Sequence, residues 1–467
     1  MTELWQHGAG ELAAMIREGE TSSLDVIDAH LRRIEQVNGS VNAIVRVLAD
    51  DARAAAQAAD AALAAGKDLG PLGGVPFTIK ENIDVADLPT THGLQALADA
   101  IAPLDAPVVE RMKAAGAVPL ARTNLPDMGL RIHTDSELHG LTLNPWHPER
   151  TAGGSSGGEA VALATGMSPI GLGNDLGGSL RNPASCCSIA SIKPTLGRVP
   201  SASTYPGPDA SITLQLLAVQ GPMARTVADV RLGLAALSGA HVRDPQSVPL
   251  PLTAPEPARR RVAVMAEPPG GTTDPRVAAV TRAAAAALEA AGCHVEEIDG
   301  PRFDEVVDCW QTLVLGEVVM ALPLLEPILS PEATAFLRMA GELKAPPTLE
   351  SLGLAWMQRH SLMRDWNVFF SDWDVVLTPT WTDLPFVHGV DAESSESSLA
   401  TLVAARAVTL ANLLGLPSAA VPAGLVDGLP VGVLVNGPRW SELLCLEVAE
   451  TLEGAGLGAI TPIDPTF

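Results

Sequence analysis

The sequence predicts an α/β fold in which a central, mixed and twisted sheet is covered by helices on both faces. Helical and strand-like segments alternate along much of the chain, and such alternation is typical of parallel or mixed sheets with helical layers. Of the 467 residues 47% are hydrophobic, and there are 42 glycines and 38 prolines. This composition indicates a large core whose elements are joined by many tight turns.

In the first part of the chain, residues 1–65 are predicted to form an N-terminal helical layer, because apolar residues recur there at helical spacing. The segment from Gly73 to Val85, GGVPFTIKENIDV, begins as a short apolar strand. A helix is expected from Pro107 to Ala115, where Gly116 would end it, and the following AVPLAR is typical of a buried strand.

The same succession returns later in the chain. Arg261 to Glu267 is predicted to be a strand, and Asp274 with the following proline is expected to begin a helix that ends at Gly292. Cys293 to Ile298 is the next predicted strand.

The segment from Pro301 to about Ser398 is irregular, and we interpret it as helical cover over the active-site side. It includes a strand-like DVVLTPTW, Asp374 to Trp381. The C-terminal segment alternates short apolar strands with Gly-Pro turns and ends in a helix around Ser441 to Leu452. Because no internal repeat or domain boundary is evident, residues 1–467 are expected to form one domain.

Charge and cysteine content exclude several classes of protein. Lys and Arg total 30 and Asp and Glu total 54, so the formal net charge is −24, and a nucleic-acid partner is not expected. Five cysteines without a CxxC pair fit a reducing cytosol. The N-terminus lacks the pattern of a signal peptide and no stretch has about 18 uninterrupted apolar residues. A cytoplasmic protein without a membrane partner is expected.

Two glycine-rich loops each carry a serine: GGSSGGEA, Gly153 to Ala160, and GNDLGGSLR, Gly173 to Arg181. Glycines let the backbone approach a substrate closely. The adjacent Gly177, Gly178 and Ser179 would aim successive N–H groups at a developing oxyanion, which makes Ser179 the natural nucleophile. Neither loop continues as GK[ST] or matches GxGxxG, so nucleotide binding is not favoured.

Two other kinds of nucleophile are less favoured than Ser179. Gly153 to Gly157 matches the G-x-S-x-G elbow of esterases, but that elbow must follow a strand, and the preceding NPWHPERTA is a poor strand. Cys186 and Cys187 lie in an apolar stretch, where adjacent cysteines are usually buried and inert.

Lys80 is a candidate general base. It ends the apolar run VPFTI, and burial disfavours the ammonium form, so that the pKa of a buried lysine falls towards neutrality. The alternative is a structural lysine at a strand end that pairs with Glu81 or Asp84. The residues alone leave the two interpretations open.

Taken together, KENIDV at Lys80, GGSSGG at Ser155 and DLGGSLR at Ser179 resemble the amidase-signature family. The resemblance extends over nearly the whole chain outside a variable region of about residues 244–372, which is expected to lie on the substrate side. Further motifs carry the resemblance: ARTNLPDMG, LNPW, IKPTLGRV, LTPT and NLLGLPSAAVPAGLVDGLPVGV. It implies a single amidase-signature fold and a Ser-Ser-Lys triad that cleaves an acyl C–N bond.

The resemblance also implies the roles of the site residues. Neutral Lys80 would take a proton from Ser155, which would deprotonate Ser179, and Ser179 would attack the carbonyl. The Gly154-Ser155 peptide is expected to be cis. The implied oxyanion hole is formed by the N–H groups of Leu176, Gly177, Gly178 and Ser179. Residues expected to shape the loops around the triad are Asp175, Arg181 and Ser156.

No metal or organic cofactor is implied. Glu159 departs from the family, which usually has a small residue there, and Asn174 stands where Thr is common. Neither departure removes a member of the triad.

The expected substrate is a small carboxamide or acyl hydrazide. The side chains proposed to line an apolar acyl pocket are Met128, Trp146, Trp310 and Leu313. Rival functions are the glutaminase component of a tRNA-dependent amidotransferase and a non-catalytic binding protein, and the intact triad argues against the latter. A homodimer is the expected assembly.

Overall fold

The computed structural model describes residues 3–204, 209–256, 258–344, 346–458 and 460–467. The strands are β1 (Ile44–Val47), β2 (Pro76–Lys80), β3 (Val118–Thr123), β4 (Asp135–Ser136), β5 (Gly140–Leu141), β6 (Ile170–Asp175), β7 (Ala190–Lys193), β8 (Val219–Ala224), β9 (Arg261–Val264), β10 (His294–Glu297), β11 (Val375–Pro379), β12 (Ser418–Val426) and β13 (Leu429–Asn436).

The α-helices are α1 (Ala9–Glu18), α2 (Ser23–Val41), α3 (Ala49–Ala64), α4 (Pro107–Ala114), α5 (Gly157–Ala164), α6 (Arg181–Cys187), α7 (Ile212–Leu217), α8 (Val227–Leu237), α9 (Pro275–Ala290), α10 (Phe303–Leu325), α11 (Pro331–Glu342), α12 (Leu349–Asp372), α13 (Ser395–Ala404), α14 (Arg406–Leu414) and α15 (Glu442–Gly454). Short 3-10 helices occupy Leu4–Gln6, Gln95–Leu97, Asp127–Gly129, Glu326–Ile328 and Val390–Ala392.

Eleven strands form one sheet in the order β1-β3-β2-β6-β8-β7-β12-β13-β11-β9-β10, and β4 and β5 form a separate pair. Strand β2 is parallel to both β3 and β6, and β9 is parallel to both β10 and β11. The remaining neighbours in the large sheet are antiparallel. The predicted mixed sheet is confirmed.

Side chains of the central strands alternate between two buried layers, as the pleat of a strand requires. On β13, Val433 and Val435 pack in one hydrophobic cluster, with helices α1, α4, α8, α9 and α15. Leu434 packs on the opposite face, in a cluster that includes α2, α5 and α6. Helices therefore cover both faces, as predicted.

Local sequence signals set several element ends. Pro107 is the first residue of α4, where its missing N–H is not needed. The carboxylate of Asp274 accepts the Arg276 N–H at 2.8 Å at the beginning of α9. Gly116 and Gly292 follow α4 and α9 with φ of 92° and 98°, a conformation that favours glycine. These predicted boundaries are confirmed to within a residue or two.

The predicted N-terminal layer is helical except for one strand. Helix α2 ends at Val41, and β1 then pairs antiparallel with β3 before α3 begins. The amide of Asn38 bonds backbone groups of residues 43 and 44 and turns the chain out of the helix. Four residues are too short for a periodicity to be recognised in the sequence, so this edge strand was missed.

The segment of about residues 244–372 contributes β9 and β10 to one sheet edge, and its helix α10 contributes Val314, Val318 and Leu325 to the wall of the cavity described below. Within the described ranges, Phe303–Ile328 is a helical segment whose length and composition match those of a membrane span. Val306, Leu313 and Val314 of this segment are buried in a hydrophobic cluster with α12 and α14. A core helix has the same composition, so this match is weak support for a membrane span.

Candidate active site

The carboxyl ends of two parallel strands bring the candidate residues together. Lys80 is the last residue of β2 and Asp175 the last residue of β6, and these strands are paired through Thr78 and Gly171. Side chains of Phe77 and Ile79 enter the core on one face of β2, so Lys80 points to the other. Ligand sites of α/β proteins commonly lie at such strand ends.

Lys80 is completely buried, and its Nζ lies 2.7 Å from Ser155 Oγ and 2.7 Å from Asn174 Oδ1. Burial lowers the pKa of Lys80 from its ordinary value of 10.5 to about 7, while the negative charges of Asp175 and Glu159 oppose the shift. A neutral amine is therefore accessible near neutral pH, as a general base requires.

The alternative of a structural ion pair for Lys80 is wrong. Glu81 instead pairs with Arg122, whose NH2 lies 3.0 Å from the Glu81 carboxylate, and both side chains are buried. Asp84 accepts hydrogen bonds from the N–H and hydroxyl of Thr204, at 2.8 and 2.6 Å. Neither acid contacts Lys80.

The loop of Ser155 is fixed by close packing at Gly154 and by a hydrogen bond from Ser156. Its Gly154-Ser155 peptide is cis, as predicted, and a Cβ atom at Gly154 would lie 2.5 Å from the carbonyl carbon of Ile132, so only glycine fits there. Ser156 donates its N–H to the carbonyl of Ser179 at 3.3 Å, which joins the two serine loops, and α5 begins directly after it. No strand directly precedes Ser155 within this described segment, which disfavours the esterase elbow.

The loop of Ser179 is built on the carboxylate of Asp175. That carboxylate accepts the N–H groups of Gly178 and Leu180 at 2.8 and 3.1 Å. Arg181 donates to both of its oxygens at 3.0 Å, and Asn412 adds a bond of 2.9 Å. Burial alone would raise the pKa of Asp175, but the Arg181 guanidinium holds it well below its usual range. The predicted shaping role of Asp175 and Arg181 agrees with these contacts.

The N–H groups proposed for the oxyanion hole are not equivalent. The N–H of Gly178 is donated to Asp175, so it is not free for a substrate oxygen. In the described part of the chain, the N–H groups of Leu176, Gly177 and Ser179 have no acceptor. We therefore keep these three in the proposed oxyanion hole and leave Gly178 out.

Trp310 was predicted to line the acyl pocket, but it packs against the loop of Ser179 and is not part of the cavity wall. Its Nε1 donates to the carbonyl of Leu176 at 3.2 Å. A Cβ atom at Gly177 would lie 2.6 Å from Trp310 Cζ2, so the indole ring and the glycine backbone are in close contact. Helix α10 thus positions the loop of the candidate nucleophile.

Leu313 and Trp146 were also predicted to line the acyl pocket, and the structure places both elsewhere. Leu313 is completely buried in a hydrophobic cluster one turn beyond Trp310. Trp146 donates its Nε1 to the carbonyl of Cys187 at 3.1 Å, behind α6. Only Met128 of the predicted set lines the cavity. The sequence identified large apolar residues but not the direction in which their side chains point.

The cavity has a volume of about 720 Å³ and contains both Ser155 and Ser179 in its wall, a size usual for small-molecule sites. Its apolar lining comes from several elements and includes Ile83, Met128, Leu130, Leu176, Leu196, Val199, Leu214, Val314, Val318, Ala321 and Leu325. An apolar acyl group would be removed from water there.

Sequence reasoning missed the residues that orient Lys80. Asn174 was noted only as a departure from the family, yet its Oδ1 contacts Lys80 Nζ while its Nδ2 donates to Asn82 Oδ1 at 2.8 Å. This second bond fixes which atom of Asn174 faces the lysine. The position of Asn82 two residues after Lys80, in KENIDV, is the only local signal for this contact.

The burial of the cysteines and their thiol pKa values fit the interpretation that they are inert. All five are buried, and burial raises the pKa of the Cys186 and Cys187 thiols above their ordinary range. A cysteine nucleophile needs the opposite shift.

Comparison with known proteins agrees with this geometry. The family model described as Amidase matches residues 25–446. The chain is 41% identical to an indoleacetamide hydrolase of Bradyrhizobium diazoefficiens over 96% of this chain and 86% of that protein. It is 33% identical to a component of the glutamyl-tRNA(Gln) amidotransferase of Salinispora arenicola over 99% of both.

Among solved structures, a bacterial aryl acylamidase of the amidase-signature enzymes superposes with a TM-score of 0.84 and 28% identity, over 97% of each chain. The fold is thus shared along nearly the full length of both chains. The chain belongs to the amidase-signature family and is an amidase-type hydrolase of carbon–nitrogen bonds other than peptide bonds.

Proposed function

We propose that the enzyme hydrolyses a small carboxamide or acyl hydrazide with an aryl or other bulky apolar acyl group, through an acyl-enzyme on Ser179. The observation that carries the proposal is the 2.7 Å contact between buried Lys80 and Ser155 in the wall of a mostly apolar cavity that also contains Ser179. The indoleacetamide hydrolase and the aryl acylamidase support an aromatic substrate by their names.

In the proposed first step Lys80 is neutral. One of its N–H bonds is donated to Asn174 Oδ1, which accepts only, and the nitrogen lone pair can then face the Ser155 hydroxyl, 2.7 Å away. Lys80 takes the Ser155 proton while Ser155 takes the Ser179 proton, and Ser179 Oγ bonds to the carbonyl carbon. The three open N–H groups of Leu176, Gly177 and Ser179 stabilise the oxyanion.

In the second step the C–N bond breaks. Ser155 donates its proton to the leaving nitrogen and recovers one from the Lys80 ammonium, so ammonia, an amine or a hydrazine leaves neutral. A water molecule then attacks the acyl carbonyl by the same relay in reverse and releases the carboxylic acid and free Ser179.

Hydrolysis of a panel of aliphatic amides, aryl amides and aryl hydrazides tests the proposal. For wild-type protein and Ser179→Ala, the rates at which the carboxylic acid and the nitrogen product form are both measured. We expect turnover of aryl members by the wild type and its loss in the variant. Turnover of glutamine only, or only with added partner proteins, would favour the amidotransferase component as the function, and relatives of that kind are less similar to this chain. A cytoplasmic location and a homodimer stay predictions from the sequence.

A further inference from the structure

A second buried acid lies beside the candidate base, and the catalytic relay described above does not use it. Glu159 belongs to α5, four residues after Ser155, and is completely buried. A carboxyl group without access to water needs a structural or functional reason, because burying it is unfavourable.

Three adjacent strands form the site that receives this carboxyl group. Oε1 accepts the hydroxyl of Thr78 on β2, and Oε2 accepts the hydroxyl of Thr123 on β3 at 2.8 Å. On β6, Gly171 leaves the necessary room, since a Cβ atom there would clash with the carboxylate. Both oxygens are therefore hydrogen-bonded, in a recess that fits this side chain.

Strand register places that recess next to Lys80. Thr123 is the direct partner of Lys80 in the β2–β3 pair, and Thr78 precedes Lys80 by two residues, on the same face of β2. The two hydroxyls that bind Glu159 thus flank the Lys80 side chain. Neighbouring strands are about 4.8 Å apart, so the acid and the amine are within the range of strong electrostatic interaction.

We propose that Glu159 is a positioning residue for the proton relay, which orders the strand surface around Lys80 and, through its charge, sets the pH range in which Lys80 is a neutral base. The proposal rests on the proposed function, since it needs Lys80 to act as the base. Glu159 itself touches neither Ser155 nor Ser179 among the described contacts.

The other charged groups near the pair are accounted for. Asp175 of β6 also acts on Lys80, but its charge is compensated by Arg181 and, more weakly, by Lys193. His92 lies near Lys80, and burial lowers the pKa of this imidazole to about 4, which leaves it uncharged at neutral pH. Burial raises the pKa of Glu159 to about 7, so acid and amine titrate in one range and as a coupled pair.

The direction of the effect follows from the charges. An ionised Glu159 favours the Lys80 ammonium and so raises the pH at which the amine becomes neutral. Glu159→Gln keeps the size and hydrogen-bonding capacity of the side chain but removes its charge. The acidic limb of kcat/KM should then move to lower pH by about one unit, with the plateau changed by less than about threefold.

The experiment records kcat/KM from pH 5 to 10 for wild type, Glu159→Gln and the control Glu450→Gln, a partly exposed acid on α15 that changes the net charge equally. Thr123→Val is the second variant, in case Glu159→Gln does not fold. It removes a hydroxyl that stabilises the ionised carboxyl, so a smaller shift in the same direction is expected.

A shift in the site variants and none in the control supports the proposal. The proposal is contradicted if the acidic limb of kcat/KM lies at the wild-type pH in both Glu159→Gln and Thr123→Val, whether or not kcat/KM falls equally at every pH. Glu159 would then have only a structural role. Absence of turnover by the wild type would instead overturn the proposed function, and the inference with it.

Discussion

Lys80 Nζ lies 2.7 Å from Ser155 Oγ in a fully buried environment, and the same nitrogen contacts Asn174 Oδ1. A solvated lysine would be held as an ammonium by water. Here burial lowers the pKa of Lys80 to about 7, so the neutral amine is accessible, and with one N–H donated to Asn174 its lone pair can face the serine. We propose on this ground that the lysine is the base, and the predictions below follow from this proposal and from the loop that carries Ser179.

Replacement of Lys80 by Met keeps much of the side-chain volume and removes the base. We expect kcat to fall by about 10²- to 10⁴-fold, the range that general acid–base catalysis supplies. Steady-state kinetics on the best aryl amide measure the loss. Lys113→Met, which removes a half-exposed lysine paired with Asp105, is the control and should leave kcat unchanged. An active Lys80→Met enzyme would mean that another group is the base.

Activity should increase with pH through the neutral range. Burial lowers the pKa of Lys80 to about 7, and only the neutral amine accepts a proton, so kcat/KM is low well below pH 7 and levels off above about pH 8. A pH profile of the wild type checks this. A profile that falls over the same interval would require an essential protonated group and would contradict the assignment.

Arg181 neutralises the buried Asp175 carboxylate, so its removal leaves an uncompensated charge in the core. Arg181→Met should lower the free energy of unfolding by about 3 to 5 kcal/mol. Urea denaturation followed by circular dichroism measures the change. Arg231→Met is the control. It breaks a partly exposed ion pair with Glu450 and should lower the free energy of unfolding by less than about 1 kcal/mol. Equal effects of the two variants would show that the buried pair has no special role.

Trp310 contacts the loop of Ser179 in two ways: its Nε1 donates to the Leu176 carbonyl, and its ring packs against Gly177. Trp310→Phe removes the N–H donor, so kcat should decrease about tenfold with little change in KM, because the loop acts mainly on the transition state. Trp373→Phe is the matched control, since both indoles are 9% exposed and Trp373 lies away from the cavity lining. A change in KM alone would mean that Trp310 contacts bound substrate.

Thiol reagents should leave the enzyme active. All five cysteines are buried and the thiol pKa values of Cys186 and Cys187 are raised, so the thiolate that reacts with iodoacetamide is scarce. Residual activity after alkylation of the native enzyme is the measurement. Rapid inactivation with label on Cys186 or Cys187 would indicate a reactive thiol and would favour a cysteine nucleophile over Ser179.

The sequence was most informative where short-range chemistry determines structure. Proline at the beginning of α4 and glycine after α9 indicated element ends, and the glycine-serine loops indicated Ser155 and Ser179. Such signals depend on a few neighbouring residues, so they can be read without the fold. Lys80 was identified but its role was not settled, because burial and the true partners of Glu81 and Asp84 depend on the folded chain.

The missed features depend on contacts between distant segments. Trp310 and Leu176 are separated by 134 residues, and Asn174 and Asn82 by 92. No local pattern states that the Trp310 ring lies beneath Gly177 and not in the cavity, since a large apolar residue suits both places. The pocket walls could therefore not be predicted without the structure, whereas the triad was proposed from the sequence motifs and stays a prediction.

The most direct test of the account is the identity of the atom that carries the acyl group. Wild-type enzyme is mixed with a slowly hydrolysed aryl acyl substrate and quenched in acid within the first turnover, and intact mass and peptide mapping locate the adduct; Ser179→Ala is the control. The account predicts an added acyl group on the peptide that contains Ser179, and none in the variant. An adduct on Ser155 or a cysteine, or turnover that persists in Ser179→Ala, would contradict it.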